Sequence, residues 1–122
     1  MSDTNLQIQT QSLVQELRRG VIILAVLSQL HEEQYGYSLM KLLEDQGMQI
    51  DQGTLYPLLR RMEEQNLLES NWRVESSRPR RYYQLSEFGE KVLQEMATEW
   101  LRIKSTVDKL LSSKKENDNE TH

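Results

Sequence analysis

Residues 51–68, DQGTLYPLLRRMEEQNLL, constrain the fold of this 122-residue chain more than any other segment. Leucines and a methionine recur in it at three- and four-residue steps, the spacing of a helix that buries one face. The other positions carry hydroxyl groups near the start of the segment and arginines further along. A short helix of this kind has the right shape for the major groove of DNA. The sequence therefore predicts a helix that packs on one face and presents polar side chains on the other.

A basic hairpin is expected directly after this helix. Residues 68–73 and 81–85 alternate moderately between apolar and polar and flank turn-forming residues 76–79, a pattern that predicts two short strands. The arginines of the hairpin are Arg73, Arg78, Arg80 and Arg81. A recognition helix followed by a basic hairpin is the layout of a winged helix-turn-helix.

The rest of the chain predicts a mostly α-helical fold with this small β-hairpin as its only sheet. Two further helices are expected over residues 10–30 and 37–46, the second ended by Gly47. Asp51 is a good N-cap for the third helix and Ser86 for a long last helix. The expected organisation is a flexible N-terminus over residues 1–9, a winged helix-turn-helix domain over residues 10–85, a dimerisation helix over residues 86–112 and a disordered tail over residues 113–122.

Composition excludes several classes of function. The chain has no cysteine and only His31 and His122, which argues against a thiolate or histidine metal site, and no cofactor is expected. Nucleophile–base pairs and phosphate-binding loops are also missing, so an enzyme is not expected. The longest apolar run, residues 21–27, is too short for a membrane span, and the N-terminus lacks a secretory signal. A cytoplasmic protein without a membrane partner is predicted.

Charge is distributed unevenly along the chain. The net charge is −4, yet residues 52–85 contain six arginines and four glutamates, a net charge of +2. A basic tip on an acidic body suits a protein that touches DNA with one face. Because this local charge is modest, a winged-helix module that binds another protein, without specific DNA binding, is the alternative.

The last helix predicts a homodimer. Apolar residues recur along it at steps of three and four, and the helix extends well past the core of a winged-helix domain this small. A partner helix could cover its far half in coiled-coil fashion, most simply the same helix of a second copy assisted by the first helix. The residues expected at this interface are Leu13, Leu17, Val92, Met96, Trp100, Ile103, Val107 and Leu110.

Candidate DNA contacts come from three elements. The third helix offers hydroxyl groups, arginines and a close approach at its N-terminus, the second helix crosses the phosphate backbone, and the wing reaches backbone or minor groove. The candidates are Tyr37, Ser38, Lys41, Gln52, Gly53, Thr54, Tyr56, Arg60, Arg61, Arg78, Arg80 and Arg81. The alternatives are a solvated helix face with Tyr56 packed on its neighbours, pairing of Arg61 with Glu63 or Glu64, a structural Tyr37, and a solvated loop for the wing. Tyr82 and Tyr83 face opposite ways, so one is expected in the core and the other near the DNA.

Several motifs resemble the PadR family of transcriptional regulators, specifically the short subfamily with a single C-terminal helix. They are RG at residues 19–20, YGY at residues 35–37, GTLYPLL at residues 53–59, RME at residues 61–63, and RRYYQLS at residues 80–86 followed by Gly89. The resemblance covers nearly the whole chain, and the third-helix and wing motifs are specific in combination. It implies a homodimeric repressor of a pseudo-palindromic operator, often responsive to a small molecule.

The resemblance also implies a ligand site at the dimer centre. Some family members bind flat aromatic ligands between paired tryptophans, and Trp100 occupies the matching position. The neighbours expected around such a ligand are Leu17, Gly20, Val21, Met96, Ala97, Ile103 and Lys104. Relatives that bind drugs carry an acidic residue about one turn after the tryptophan, where this chain has Lys104, which disfavours cationic ligands. The alternative is that Trp100 only fills the dimer core.

Overall fold

The computed structural model describes the backbone of residues 2–120 and the side chains of residues 3–113. The described residues form four helices and one three-stranded sheet, which confirms the predicted mostly α-helical fold with a small hairpin. In chain order the elements are α1 (Ser2–Ser28), β1 (Gln34–Tyr35), α2 (Gly36–Asp45), α3 (Gln52–Glu64), β2 (Leu68–Glu75), β3 (Arg78–Leu85) and α4 (Glu87–Glu120). Within the described residues, no helix is long and apolar enough to cross a membrane.

The sheet is antiparallel with the strand order β1-β3-β2. β1 was not predicted, because two residues form a strand only through their pairing with β3, where Tyr35 lies opposite Tyr82. The turn between β2 and β3 is also tighter than predicted. Ser76 and Ser77 form it alone with φ angles of 51° and 66°, the geometry of a type I′ turn, whose twist matches that of the strands. The second half of the predicted turn, residues 78–79, instead begins β3.

The helix termini follow from local sequence. The backbone N–H of Thr54 donates to the Asp51 carboxylate at 2.7 Å, so Asp51 caps α3 as predicted. Ser86 caps α4 by accepting from the N–H of Gly89 at 2.9 Å. Gly47 follows α2 with φ of 98°, a conformation that favours glycine. Its N–H donates to the Glu44 carbonyl at 2.9 Å, and the N–H of Met48 donates to the Leu43 carbonyl at 2.8 Å. All three predicted caps are confirmed.

The first and last helices are longer than expected. α1 begins at Ser2 instead of residue 10, and α4 runs to Glu120 instead of ending at residue 112. Residues 2–9 and 113–120 were expected to lack structure because they are polar, but neither segment contains glycine or proline to stop a helix. Met1 and residues 121–122 of the predicted termini lie outside the described residues.

The core lies where the C-terminal half of α1 meets α2, α3, the base of the hairpin and the start of α4. Its buried members are Val26, Leu27, Leu30, Leu39, Leu43, Leu55, Leu58, Leu59, Met62, Leu68, Tyr83, Leu85 and Leu93. Since both α3 and the base of the hairpin contribute to it, this core fixes the root of the wing beside the predicted recognition helix.

Candidate nucleic-acid interface

α3 presents three distinct faces. Its predicted apolar stripe of three leucines and a methionine is buried, as expected. Gly53, Pro57 and Arg60 are exposed and lie at the centre of the opposite face, because their spacing returns them to one side of the helix. Tyr56 lies on the flank toward the hairpin, whereas Thr54 lies on the flank toward α1. Thr54, Tyr56 and Arg60 therefore do not share one line along the helix.

A groove of about 450 Å³ separates α3 from the hairpin. It is lined by Tyr35, Gly36, Tyr56, Arg60, Trp72, Pro79, Arg80, Arg81 and Tyr83. The ring of Tyr56 lies so close to the Cα of Gly36 that any side chain at residue 36 would overlap it. Tyr56 is half-buried by this packing. The Tyr56 ring thus packs on its neighbours, which was the alternative to a DNA contact.

A hydrogen-bonded cluster of Glu63, Ser70 and Arg81 joins α3 to both long strands. Arg81 Nη2 donates to Glu63 Oε1 at 2.5 Å, and Arg81 Nε donates to Ser70 Oγ at 3.1 Å. The Ser70 hydroxyl donates in turn to Glu63 Oε2 at 2.5 Å. This cluster, named the Glu63 clamp below, occupies the Arg81 guanidinium, and it also takes up Glu63, which had been considered as a partner for Arg61.

Two more wing arginines have acidic partners on the outer face of the hairpin. Arg73 Nη2 lies 2.5 Å from Glu33 Oε1, and Arg80 Nη1 lies 3.7 Å from Glu75 Oε2. The Arg80 guanidinium also stacks 4.4 Å from the centroid of the Tyr35 ring. Between residues 70 and 83 the sequence has one acidic residue, Glu75, which alone would oppose these arginines. The fold adds two more, because it brings Glu33 from the α1–α2 connection and Glu63 from α3.

The remaining basic side chains of this surface are exposed. Among residues 3–113, Arg60, Arg61, Arg78 and Lys41 form no ion pair. Arg60 lies on the outward face of α3, Arg78 beside the wing turn, and Lys41 on α2. These cations, and not the hairpin arginines as a group, provide the net positive charge that a phosphate backbone would meet.

The predicted DNA contacts at the start of α2 differ in their accessibility. Tyr37 is 52% exposed, so its ring and hydroxyl face solvent. Ser38 is half-buried and its hydroxyl is already engaged, since it accepts from the Tyr35 N–H at 3.1 Å and lies 2.8 Å from Gln34 Oε1. Ser38 is therefore placed to cap α2, while Tyr37 and Lys41 remain accessible.

Tyr82 and Tyr83 separate as their alternation predicts. Tyr83 is buried in the core, and this burial raises the pKa of its hydroxyl. Tyr82 lies on the outer face, edge-on to Tyr35 at 5.4 Å between ring centroids, and its hydroxyl donates to Glu75 at 3.0 Å. The outer face of the hairpin is thus a packed layer of aromatic rings and arginines.

A second candidate surface lies on α1 and α4. It includes side chains that were predicted to form the dimer interface and the ligand site. Trp100 is 38% exposed in the single chain and Leu17 is 72% exposed. A side chain added at Gly20 would meet nothing within 4 Å, so space is open beside α1. Lys104 pairs with Asp108 at 3.3 Å. We define the α1–α4 face by its exposed apolar residues Leu13, Leu17, Trp100, Ile103, Val107 and Leu110.

The interface includes side chains that were not predicted from the sequence to take part in it, among them Glu33, Tyr35, Glu63, Ser70 and Trp72. For Glu63 a signal exists, because it follows Tyr56 by two helical turns and so lies on the same flank. Strand alternation likewise places Arg81 on the same side as the buried Tyr83. Nothing local identifies Glu33, since only the docking of β1 on β3 brings it to Arg73.

In class, the fold is a winged helix: three core helices, with an exposed basic face on the third, followed by a hairpin bearing arginines. Within the described part of the chain, no three histidine or carboxylate side chains form a group that could hold a metal ion. The site presents cations, their carboxylate partners, hydroxyl groups and aromatic rings on a helix and an adjacent hairpin.

Comparison with known proteins identifies the family. Residues 23–95 match the model of the PadR-like family of transcriptional regulators. The chain is 35% identical over 83 residues to a transcriptional regulator of Mycobacterium tuberculosis, a match covering 67% of this chain and 78% of the relative. The chain belongs to the PadR family, as its motifs predicted, and is a DNA-binding transcriptional regulator.

Solved structures agree with this assignment. A PadR family transcriptional regulator from Eggerthella lenta is similar with a TM-score of 0.82 and 45% identity, over 88% of this chain and 96% of that chain. A PadR-like transcriptional regulator from Bacillus cereus is similar with a TM-score of 0.71 and 32% identity, over 79% of this chain and 96% of that one. The long C-terminal helix is part of the fold that these comparisons support.

Proposed function

We propose that the protein is a homodimeric repressor that binds a pseudo-palindromic operator with two copies of α3 and the wing. The observation that carries this proposal is that one exposed cation lies on the outward face of α3 and another lies beside the wing turn. Arg60 and Arg78 lie on separate elements, and the core holds the roots of both elements together. Such a pair can follow one groove and the phosphates beside it.

The N-terminus of α3 is the part that would approach DNA most closely. Gln52, Gly53 and Thr54 are exposed there, and the lack of a side chain at Gly53 leaves the helix terminus open to a phosphate. Arg60 follows two turns later and can reach a phosphate or the O6 and N7 atoms of guanine. Arg61 is exposed on the α1 side of the helix and is assigned to backbone contact.

Backbone contacts from the other elements would fix the register. Tyr37 and Lys41 are exposed on α2, which in a helix-turn-helix crosses the phosphate backbone. Arg78 and Arg80 on the wing would contact the backbone or minor groove. Arg80 is only loosely held by Glu75, so its guanidinium can exchange that carboxylate for a phosphate. These contacts add affinity without reading sequence.

Arg60 and Arg78 are the substitutions that test DNA binding. Arg60→Ala and Arg78→Ala should each weaken binding to a duplex selected from a random pool and reduce the slope of log affinity against log salt by about 1. Fluorescence anisotropy across a salt series measures both quantities. Arg102→Ala is the matched control, since its side chain is 77% exposed and lies on α4 away from α3 and the wing. A salt slope unchanged in both test variants would remove these arginines from the interface.

The α1–α4 face supports the dimer and the effector site. Its apolar side chains face solvent in one chain, and a second copy related by a twofold axis would cover them. The two Trp100 rings would then lie near the axis and could stack on a planar aromatic effector, with Gly20, Val21, Met96, Ala97 and Lys104 around it.

Tryptophan fluorescence tests the effector. Trp72 is first replaced by Phe to remove its emission, and a panel of planar aromatic compounds is titrated. A compound that binds should quench the Trp100 emission and change the affinity for the operator. Trp100→Ala in the Trp72→Phe background should abolish the effect of that compound on operator affinity. A panel that changes neither emission nor affinity would leave Trp100 as a residue of the dimer core.

A further inference from the structure

The Glu63 clamp is the outermost fixed point between α3 and the wing. Ser70 and Arg81 lie near the base of the hairpin, two and four residues from its ends at Leu68 and Leu85. Beyond them, every described side chain from residue 71 to residue 79 is exposed, so none is anchored in the core. Asn71 and Arg73 in this part of the hairpin bond to Glu33, just ahead of β1. Among the described residues, the clamp supplies the side-chain hydrogen bonds between the hairpin and the recognition helix.

The clamp has the geometry of a rigid joint. Both carboxylate oxygens of Glu63 are used, one by Arg81 and one by Ser70, and Arg81 also bonds to Ser70. The three hydrogen bonds close a triangle that includes one residue from each of three elements. Glu63 and Arg81 side chains are 27% and 34% exposed, so water competes less for these charged hydrogen bonds than at the open surface.

We propose that Glu63 is a positioning residue for DNA binding, which holds the wing at a fixed angle to α3 through Arg81 and Ser70. Arg81 then acts inside the protein and does not contact phosphate. This inference rests on the proposed DNA binding, and it identifies the contact that aligns α3 with the wing. Arg78 lies three residues beyond Arg81, about 10 Å along the strand. A rotation of roughly 20° at the clamp would move Arg78 by about 3 Å, which is a hydrogen-bond length.

The sign of one substitution separates this proposal from simple electrostatics. Glu63 is a negative charge on the surface that would face DNA. Removing it should strengthen binding if charge alone matters, because the surface becomes more basic. Under the proposal, Glu63→Ala weakens operator binding, since the wing loses its fixed angle. Glu64→Ala is the matched control, because Glu64 is the next residue of α3, exposed, and without an ion pair among residues 3–113.

Anisotropy titrations of the full chain on the selected duplex, at several salt concentrations, provide the test. Glu63→Ala should weaken binding about tenfold with an unchanged salt slope, and Glu64→Ala should bind at least as tightly as the native chain. Arg81→Ala should also weaken binding with an unchanged slope, whereas Arg78→Ala should lower the slope by about 1. Undiminished binding by Glu63→Ala, or a slope lowered by about 1 in Arg81→Ala, would overturn the proposal.

A charge exchange keeps the test decisive if a single variant unfolds. Glu63→Arg combined with Arg81→Glu preserves net charge and the ion pair, so its binding should recover most of the loss seen with Arg81→Glu alone. No recovery in a variant whose circular dichroism melt matches the native chain would contradict the clamp. If the native chain itself binds selected and random duplexes equally at every salt concentration, the proposed function fails, a result distinct from a failure of the clamp.

Discussion

At the scale of single residues, Gly89 shows how little space the junction between the hairpin and α4 leaves. Its position is buried, and a Cβ there would overlap the backbone carbonyl oxygen of Leu67. That carbonyl also accepts the N–H of Ser86 at 3.0 Å, so it cannot move aside without loss of a hydrogen bond at the start of α4. Gly89 therefore sets how closely α4 approaches the loop that follows α3.

Substitution of Gly89 by alanine should destabilise the protein. We expect a loss of about 1–3 kcal/mol in the free energy of unfolding, from overpacking against fixed backbone. Urea denaturation followed by circular dichroism measures it. Gly53→Ala is the control, because a Cβ there meets only the Asp51 carboxylate at 3.6 Å, an ordinary contact. Alanine at residue 53 should leave the free energy of unfolding unchanged or raise it by up to about 1 kcal/mol. Equal stability of the two variants would contradict the packing around Gly89.

Individual contacts were predictable only where they depend on local sequence. Arg81 illustrates the limit: the sequence shows an arginine in a basic hairpin, and DNA contact was the natural expectation. The structure instead hydrogen-bonds it to Glu63, eighteen residues earlier in the chain. Helical and strand periodicity place each residue on a face, but only the packing of the hairpin against α3 brings those two faces together. That Arg78 forms no ion pair among residues 3–113 is likewise evident only from the structure, which pairs the other three hairpin arginines with carboxylates.

At the scale of elements, start and stop signals were predictable and extents were not. Asp51, Ser86 and Gly47 act on backbone groups within a few residues, so their sequence signatures were sufficient. β1 could not be predicted, because its two residues are a strand only through β3. The predicted start of α1 and end of α4 relied on polarity, whereas a helix without a breaking residue can continue through polar sequence.

The wing turn shows how an element can be predicted with the wrong details. Alternation and turn residues located the hairpin, and its four middle residues were all assigned to the turn. The two-residue turn at Ser76 and Ser77 pairs Glu75 with Arg78 and extends both strands. In such a hairpin the next pair, Val74 and Pro79, is a position without ladder hydrogen bonds, so proline is tolerated there. The wing is therefore longer than the sequence predicted and carries Arg78 at its tip.

At the scale of the whole molecule, the α1–α4 face and the DNA surface lie on different elements but would act together. That face carries six large apolar side chains on two helices that one chain leaves open to solvent, as at Ile103 and Val107. Exposed apolar side chains in this number are typical of an interaction site. In the proposed dimer, α4 would set the distance between two copies of α3, so that binding by one copy raises the effective concentration of the other at the second half-site.

A charge placed at the dimer interface should therefore weaken operator binding strongly without changing the DNA surface. Val107 is 45% exposed in one chain and lies within the α1–α4 face, so Val107→Glu should give a monomer by light scattering. Operator affinity should then fall by about 10²- to 10⁴-fold, the gain that linkage of two sites provides. Ser105→Glu adds the same charge on the opposite side of α4 and should remain dimeric with native affinity. A monomeric Val107→Glu variant that binds the operator as tightly as the native chain would show that one winged helix suffices. A Val107→Glu variant that remains dimeric would place the dimer interface outside the α1–α4 face.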